Sequence, residues 1–431
     1  MVTGCATNDD VQLSSETTPS YNDKTFIAKE FAKILAASTE DADMRDFIKE
    51  TSLKKFDGDN NFLFVQVENE YLNPQTKSLS STFKEKLREK SQVITKSSGN
   101  AMDFDELIAS IKIKYPLLQV AVPDVYENST AVWNTGDYKP LVAFLPENFD
   151  DTAQYITAFD IDGKEYELDA QNPPENPVIV VSENERVVAI PKSKAVSPSK
   201  CQALFETVSY LYIDAGCYRS NEILTEYVPH INYNSNTSSQ KYTPDTRSPQ
   251  RSYNSDPPLV TRDDVITKAK FVSMEALKQV ESWANGAPEV EMVVTYTFKQ
   301  NNTYSTQTVR KIFTDSDWTK GGVFGIGRST KEKTLDVPVL YWDKDNFGIL
   351  MKYTFIEVDG GSAREYTISY NNTYKVGNET TTVQASTKIP IEKYDDIIGE
   401  AVINYNDTVI GSGKMYSTGL LNFWIALQGT Y

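Results

Sequence analysis

Pairs of acidic residues in the C-terminal third have a spacing that suits a hard metal ion. They are Asp315 with Asp317, Asp343 with Asp345, Glu357 with Asp359, and Asp395 with Asp396. Ca2+ takes roughly six to eight oxygen ligands, largely carboxylates and carbonyls, often from loops. In a strand, a D-x-D pair puts both side chains on one face. In a loop, both can turn onto one ion. The expected ligands are therefore Asp343, Asp345, Glu357, Asp359, Asp395 and Asp396. Asp343 and Asp345 lead, because the neighbouring Trp342 would anchor their loop. The competing reading is a set of loop acids solvated by water.

Other chemistries find less support. A zinc protease needs several histidines, and the chain has one, His230, with no HExxH motif. Nothing in Tyr227-Val-Pro-His-Ile-Asn232 suggests a nucleophile beside it. Gly321-Gly-Val-Phe-Gly-Ile-Gly327 is glycine-rich, but a phosphate loop needs a helix N-terminus after it, and here strands follow. Asp57-Gly-Asp-Asn-Asn61 with Glu68 matches part of an EF-hand loop. The glycine required for its sharp turn is replaced by Phe62, which excludes that reading. No catalytic constellation stands out, so the sequence favours a binding protein. The enzyme alternative is a surface hydrolase acting on glycans through paired carboxylates, for which 60 acidic residues offer many pairs.

Val2-Thr-Gly-Cys5 resembles the end of a bacterial lipoprotein signal, with Cys5 as the residue that would carry the lipid. Asp9 and Asp10 resemble the acidic export signal of Bacteroidetes surface lipoproteins. Residues 6–22 are polar, as a tether would be. The expectation is a chain held by its lipid at the bacterial outer membrane or cell surface, and the alternative is a free cysteine. No apolar run is long enough to span a bilayer. Cys201 and Cys217 flank the apolar stretch from Leu204 to Ile213, and two readings stand for them: a disulfide closing a short loop, or two buried thiols.

Net charge is −17, which argues against nucleic acid, whose phosphates demand basic patches. It is compatible with divalent cations. The 25 tyrosines suit β-structure and polar recognition surfaces. Sequons occur at Asn128, Asn236, Asn301, Asn371, Asn378 and Asn406. Thr152 and Thr408 sit in motifs resembling Bacteroidetes O-glycosylation sites.

Positioning elements follow from periodicity. After the start and tether (residues 1–23), residues 24–116 read as mainly helical. Ile27, Phe31, Ile34 and Leu35 form one face; Met44, Phe47 and Ile48 another; Leu107, Ile108 and Ile111 a third, behind Asp103. Phe62-Leu-Phe-Val-Gln-Val67 is strand-like. Residues 117–232 switch to short apolar runs punctuated by proline, with Asp162-Gly163 as a hairpin signal. Residues 233–258, rich in Asn, Ser, Thr and Pro, read as a linker or exposed loop. A helix is predicted within 259–287, capped by Ser273, with Leu277, Val280 and Trp283 inward and Asn285-Gly286 as its stop. From 288 to 431, strand follows strand, which predicts a β-sandwich. The fold class is α+β: a helical N-terminal segment, a mostly antiparallel central β domain and a C-terminal sandwich.

Leu53-Lys-Lys-Phe-Asp-Gly-Asp59, Pro140-Leu-Val-Ala-Phe-Leu-Pro146, Pro177-Val-Ile-Val-Val-Ser-Glu-Asn-Glu-Arg186 and Glu281-Ser-Trp-Ala-Asn-Gly-Ala-Pro-Glu289 resemble stretches of uncharacterised bacterial surface lipoproteins, commonest in Bacteroidetes. That resemblance implies location and architecture, and no chemistry. Tyr394-Asp-Asp-Ile-Ile-Gly-Glu400 and Trp342-Asp-Lys-Asp345 resemble parts of a C2 domain, which implies a calcium-binding sandwich. The expected function is binding of a glycan or protein ligand by a lipid-anchored, calcium-stabilised protein.

Overall fold

The computed structural model describes residues 23–76, 80–98, 103–124, 128–147, 149–151, 153–194, 201–215, 217–218, 261–300, 303–313, 318–320, 329–359, 363–376, 379–393, 395–407 and 413–427. Cys5, Thr152, His230, the 233–258 stretch, Asp315, Asp317, Gly321–Gly327 and Thr408 lie outside these residues.

The helical faces read from the sequence bury together. Asp23 caps the helix Lys24–Ser38 by accepting from the Thr25 amide, and Asp103 caps Phe104–Lys114 by accepting from Asp105 and Glu106. Ile27, Phe31 and Leu35 meet Phe47, Phe62, Phe83 and Leu107 in one core. The helices do not form a domain of their own. Their core includes Val120, Val142, Phe159 and Val181, from a six-stranded sheet. Its strand order is Asn61–Leu63, Leu118–Ala121, Ile179–Glu183, Val142–Phe144, Tyr155–Phe159 and Glu165–Asp169, antiparallel except where Val142–Phe144 runs parallel to Ile179–Glu183. The strand-like 62–67 stretch splits: its first part pairs with Leu118–Ala121 and Phe64–Val67 turns helical. A helix-periodic segment and a strand-periodic segment thus share one α/β unit. Neither could bury its apolar face alone.

A three-stranded sheet of Val187–Pro191, Tyr210–Asp214 and Ala203–Glu206 follows. Cys201 and Cys217 are disulfide-bonded there, with Cα atoms 5.9 Å apart. A loop of that length contributes about 3 kcal/mol in the chain-entropy model.

The sandwich consists of two four-stranded sheets. One orders Lys333–Asp343, Thr261–Phe271, Leu421–Leu427 and Lys414–Ser417; the other orders Thr303–Ile312, Val290–Gln300, Leu350–Glu357 and Asp396–Asn404. Phe271, Ile266, Phe423 and Ile425 of the first face Met292, Val294, Tyr353 and Phe355 of the second. A long hairpin, Ala363–Val376 with Glu379–Glu392, packs Ile368 and Ile389 on the outside of the second sheet against Val293 and Ile356.

The helix predicted over 259–287 is shorter than expected. Thr261–Phe271 is a central strand, paired on both sides. Its β-branched Val265, Ile266 and Thr267 and its ladder partners on both sides favour the strand. Only Met274–Lys278 is helical, with the Ser273 hydroxyl accepting from the Ala276 amide as its cap. The chain then leaves the sandwich. Ala284 and Trp283 pack on Leu145, Ile156 and Val180, the face of the six-stranded sheet away from its helices. Val290 returns it to the sandwich. Residues 281–289 therefore form the seam between the two halves.

Candidate metal centre

Antiparallel register sets the first half of the site. Val290 pairs with Glu357, and the Val358 amide donates to the Glu289 carbonyl at 3.1 Å. One end of the sheet thus presents Glu289, Glu357 and Asp359 together. The N-terminal unit brings Asp151, in the loop before Tyr155–Phe159, and Glu185, in the turn after Ile179–Glu183. Glu281 enters from the seam. Seam hydrogen bonds lock this meeting. Asp151 accepts from the Ser282 amide at 2.9 Å and from Asn285 Nδ2 at 3.2 Å, and the Ser282 hydroxyl donates to the Ala170 carbonyl.

Two triads of carboxylates result, Asp151–Glu281–Asp359 and Glu281–Glu289–Glu357, each able to offer oxygens that all lie within 4.8 Å of one another. Glu281 belongs to both. Its side chain is 5% exposed, and neither of its oxygens has a hydrogen-bond partner among the described residues. Glu357 is fully buried with Oε2 unpartnered, and Asp359 is 8% exposed with both oxygens unpartnered. A cleft of about 460 Å³ reaches the cluster and is lined by Asp151, Glu185, Asn285 and Asp359.

Unpaired buried charge is costly, by several kcal/mol per ion. Without a counter-ion the cluster must hold protons. Burial, opposed by the Ser282 amide, raises Asp151 to about 6. Burial raises Asp359 to about 7 and, despite Arg186, raises Glu289 to about 8. Burial and then neighbouring carboxylates push Glu185, Glu281 and Glu357 well above the ordinary range. A divalent cation inverts this logic. The donor set is all oxygen, with no histidine or thiolate, which suits Ca2+, Mg2+ or Mn2+ over softer metals. Oxygens bound to one Ca2+ are at most about 5 Å apart, given bonds of roughly 2.5 Å, and the triads meet that limit.

Arg186 answers part of the charge. Its Nε donates to Asp59 Oδ2 at 2.7 Å, and its Nη2 pairs with Glu289 and donates to the Ala287 carbonyl at 3.2 Å. Burial opposes its charge, but Glu289 and Asp59 more than restore it. Arg186→Gln is expected to destabilise the protein by about 3–5 kcal/mol, because it strands buried carboxylates. Urea unfolding measures this, and a loss under about 1 kcal/mol would show the pair to be weak.

The sequence-predicted ligands divide. Glu357 and Asp359 lie in the cluster. Asp395 stands behind it as a positioning residue: its carboxylate accepts from the Asp359 amide at 3.1 Å and the Glu392 amide at 2.7 Å. Asp396 lies across the ladder from Glu357 and is exposed. Asp343 and Asp345 join neither triad. Trp342 does anchor their loop, donating to the Gly348 carbonyl at 2.8 Å. Asp343, however, is engaged as a helix cap by the Asp345 amide and Asn346 Nδ2, and the exposed Asp345 pairs with Lys344. Asp57 likewise accepts from Asp59, Asn61 and Asn184 in a turn, and Glu68 pairs with Lys84 and Lys112, so no EF-hand forms. Sequence reasoning missed Asp151, Glu185, Glu281 and Glu289.

A family model described as a protein of unknown function, DUF3103, matches residues 45–224. No curated protein and no solved structure matches the chain. The matched stretch carries Asp151, Glu185 and Arg186; Glu281, Glu289, Glu357 and Asp359 come from outside it.

Proposed function

We propose that this chain is a divalent-cation-dependent binding protein, held by a lipid on Cys5 at the outer membrane or cell surface of a bacterium. The cation, Ca2+ by preference, is bound by Asp151, Glu281, Glu357 and Asp359, with Glu289 shared between the ion and Arg186. It fixes the N-terminal α/β unit to the sandwich, and so sets the shape of the clefts on either side of the seam. The observation that carries this reading is Glu281, a buried carboxylate with no hydrogen-bond partner among other carboxylates. The deciding experiment is the calcium response of the wild type against Glu281→Gln.

The lipid anchor rests on Val2-Thr-Gly-Cys5 and the polar stretch behind it. Expressed in a bacterium with an alkyne fatty acid, the full chain is expected to take up label and fractionate with membranes. Cys5→Ala should abolish both. Label retained in that variant would sink the anchor without touching the cation.

A second reading is favoured by one observation. Asp151 and Asp359 line the larger cleft with oxygens within 4.8 Å and raised protonation. Two carboxyl groups on one cleft, at least one of them protonated, are the minimum a glycosidase needs. Glycoside hydrolysis that survives chelation would favour this reading over the cation.

A further inference from the structure

Glu281 also lines a second cleft, of about 250 Å³, between the N-terminal unit, the seam and the short helix Met274–Lys278. The chemistry there differs from the acid cluster. Asn60, Asn61, Asn128, Gln171 and Asn285 line it, and so does the half-buried Trp283. The amide nitrogens of Gln171 and Asn285 are already engaged, with the Asp151 and Ala153 carbonyls and with Asp151 Oδ1. Two of the amides are incompletely used. Asn60 is 7% exposed and Asn61 3%. Asn60 Nδ2 donates to Thr130 Oγ1 at 3.4 Å and Asn61 Nδ2 to Asp57 at 3.0 Å, while each Oδ1 is buried without a partner among the described residues.

We propose that this cleft binds one neutral sugar residue of a glycan. The inference rests on reading the chain as a binding protein, and Glu281 borders both this cleft and the carboxylate cluster. An amide both donates and accepts, as does a hydroxyl, so clustered amides match the edge of a pyranose ring. An indole offers an apolar surface to the ring's C–H face. The charged groups nearby select against other ligands. Asp59 is paired with Arg186, and Asp124 accepts from the Thr130 amide at 2.8 Å and the Ser129 hydroxyl at 3.2 Å. Lys55, Lys278 and Glu281 line the cleft as well, and Lys278 donates to Asn172 Oδ1 at 2.7 Å. With both signs of charge in the lining, neither a cationic nor an anionic ligand is favoured over a neutral one. A buried acceptor left without a partner costs about 1–3 kcal/mol, and a sugar hydroxyl would relieve it.

The site is built on firm parts. Asn61 belongs to the edge strand of the six-stranded sheet, and the Asn60 carbonyl accepts from the Val122 amide at 2.8 Å. Gly286, with φ of +119°, lets the seam pass Asp59, whose Oδ2 would lie 3.2 Å from any added Cβ.

Saturation-transfer NMR on the calcium-loaded full chain tests this directly, with the methyl glycosides of glucose, galactose, mannose, fucose and N-acetylglucosamine. Transfer to at least one is expected. In calorimetric titration with that glycoside, Asn60→Ala should weaken binding at least fivefold and Trp283→Phe at least threefold. Both variants should keep the calcium shift, and Asn60→Ala should also keep the wild-type melting temperature. Asn60→Ala removes only one long hydrogen bond, so it separates binding from folding should Trp283→Phe fail to fold. Absence of transfer to all five glycosides would overturn the proposal. So would an affinity that neither substitution changes. A calcium shift without sugar binding removes this proposal alone. Sugar binding without a calcium shift supports it and removes the cation reading alone.

Discussion

Calcium added to chelator-treated protein at about pH 7.5 is expected to raise its melting temperature by roughly 5 °C or more. An ion present at about a hundred times its dissociation constant stabilises the native state by about 2.7 kcal/mol. For domains of this size class, each kcal/mol moves the transition by roughly 2–4 °C. The ion would be bound by carboxylates that only the native fold assembles, since Asp151, Glu281 and Glu357 are far apart in sequence. Unfolding therefore scatters the site, and the linkage applies in full. Glu281→Gln keeps the size of the side chain and removes the charge both triads share. Its calcium shift is expected to fall below about 1 °C on the same scale. An Asp343→Asn/Asp345→Asn double variant should keep the full shift, because Asp343 caps a helix and Asp345 pairs with Lys344. Differential scanning fluorimetry measures all three. A wild type indifferent to Ca2+, Mg2+ and Mn2+ would defeat the metal reading, and a full shift retained in Glu281→Gln would place the ion elsewhere.

The contrast between Asp343 and Glu281 shows what a sequence reveals here. Periodicity identified the helix faces of Ile27–Leu35 and Leu107–Ile111 and most sandwich strands, because those patterns are local and a buried face repeats along its own element. It also marked Ser273 as a cap. It could not show that residues 24–116 and 117–191 share one core, since that depends on which sheet the helices cover. The carboxylate cluster was half legible. Glu357 and Asp359 stand close in sequence, so spacing exposes them. Their partners Asp151, Glu185 and Glu281 come from separate loops, and only tertiary packing joins them. The D-x-D spacing that recommended Asp343 and Asp345 fits a helix-capping turn equally well: Asp343 accepts from the amide two residues on. Within the 259–287 segment assigned to a helix, the strand Thr261–Phe271 ahead of the Ser273 cap went unseen, because a strand paired on both sides carries no clean alternation.

The acid cluster should also give the chelated protein an inverted dependence on pH. A carboxyl whose native pKa lies above its unfolded value binds a proton in the native state that the unfolded chain has already released. Its stabilisation is complete below the unfolded value, near 4, and is lost as pH rises through the native one. Asp151 sits at about 6, Asp359 at about 7 and Glu289 at about 8, each raised first by burial. Burial, and then neighbouring carboxylates, push Glu281 and Glu357 in the same direction. These groups interact, so they titrate as a unit across that window. In chelator, the melting temperature is expected to fall by several degrees between about pH 5 and pH 8. Calcium should remove the fall, because the ion needs deprotonated carboxylates and binds more tightly as pH rises. The two profiles therefore diverge with increasing pH. Glu281→Gln has no proton to lose at that position. In chelator at about pH 8 it should melt above the wild type, although it has lost the calcium response. A cluster that merely tolerated its charge would give the opposite: a chelated protein that stabilises as pH rises, and a Gln variant with no advantage at any pH. Stabilisation by Gln without calcium, together with loss of the calcium shift, is a combination that a purely structural acid would not produce.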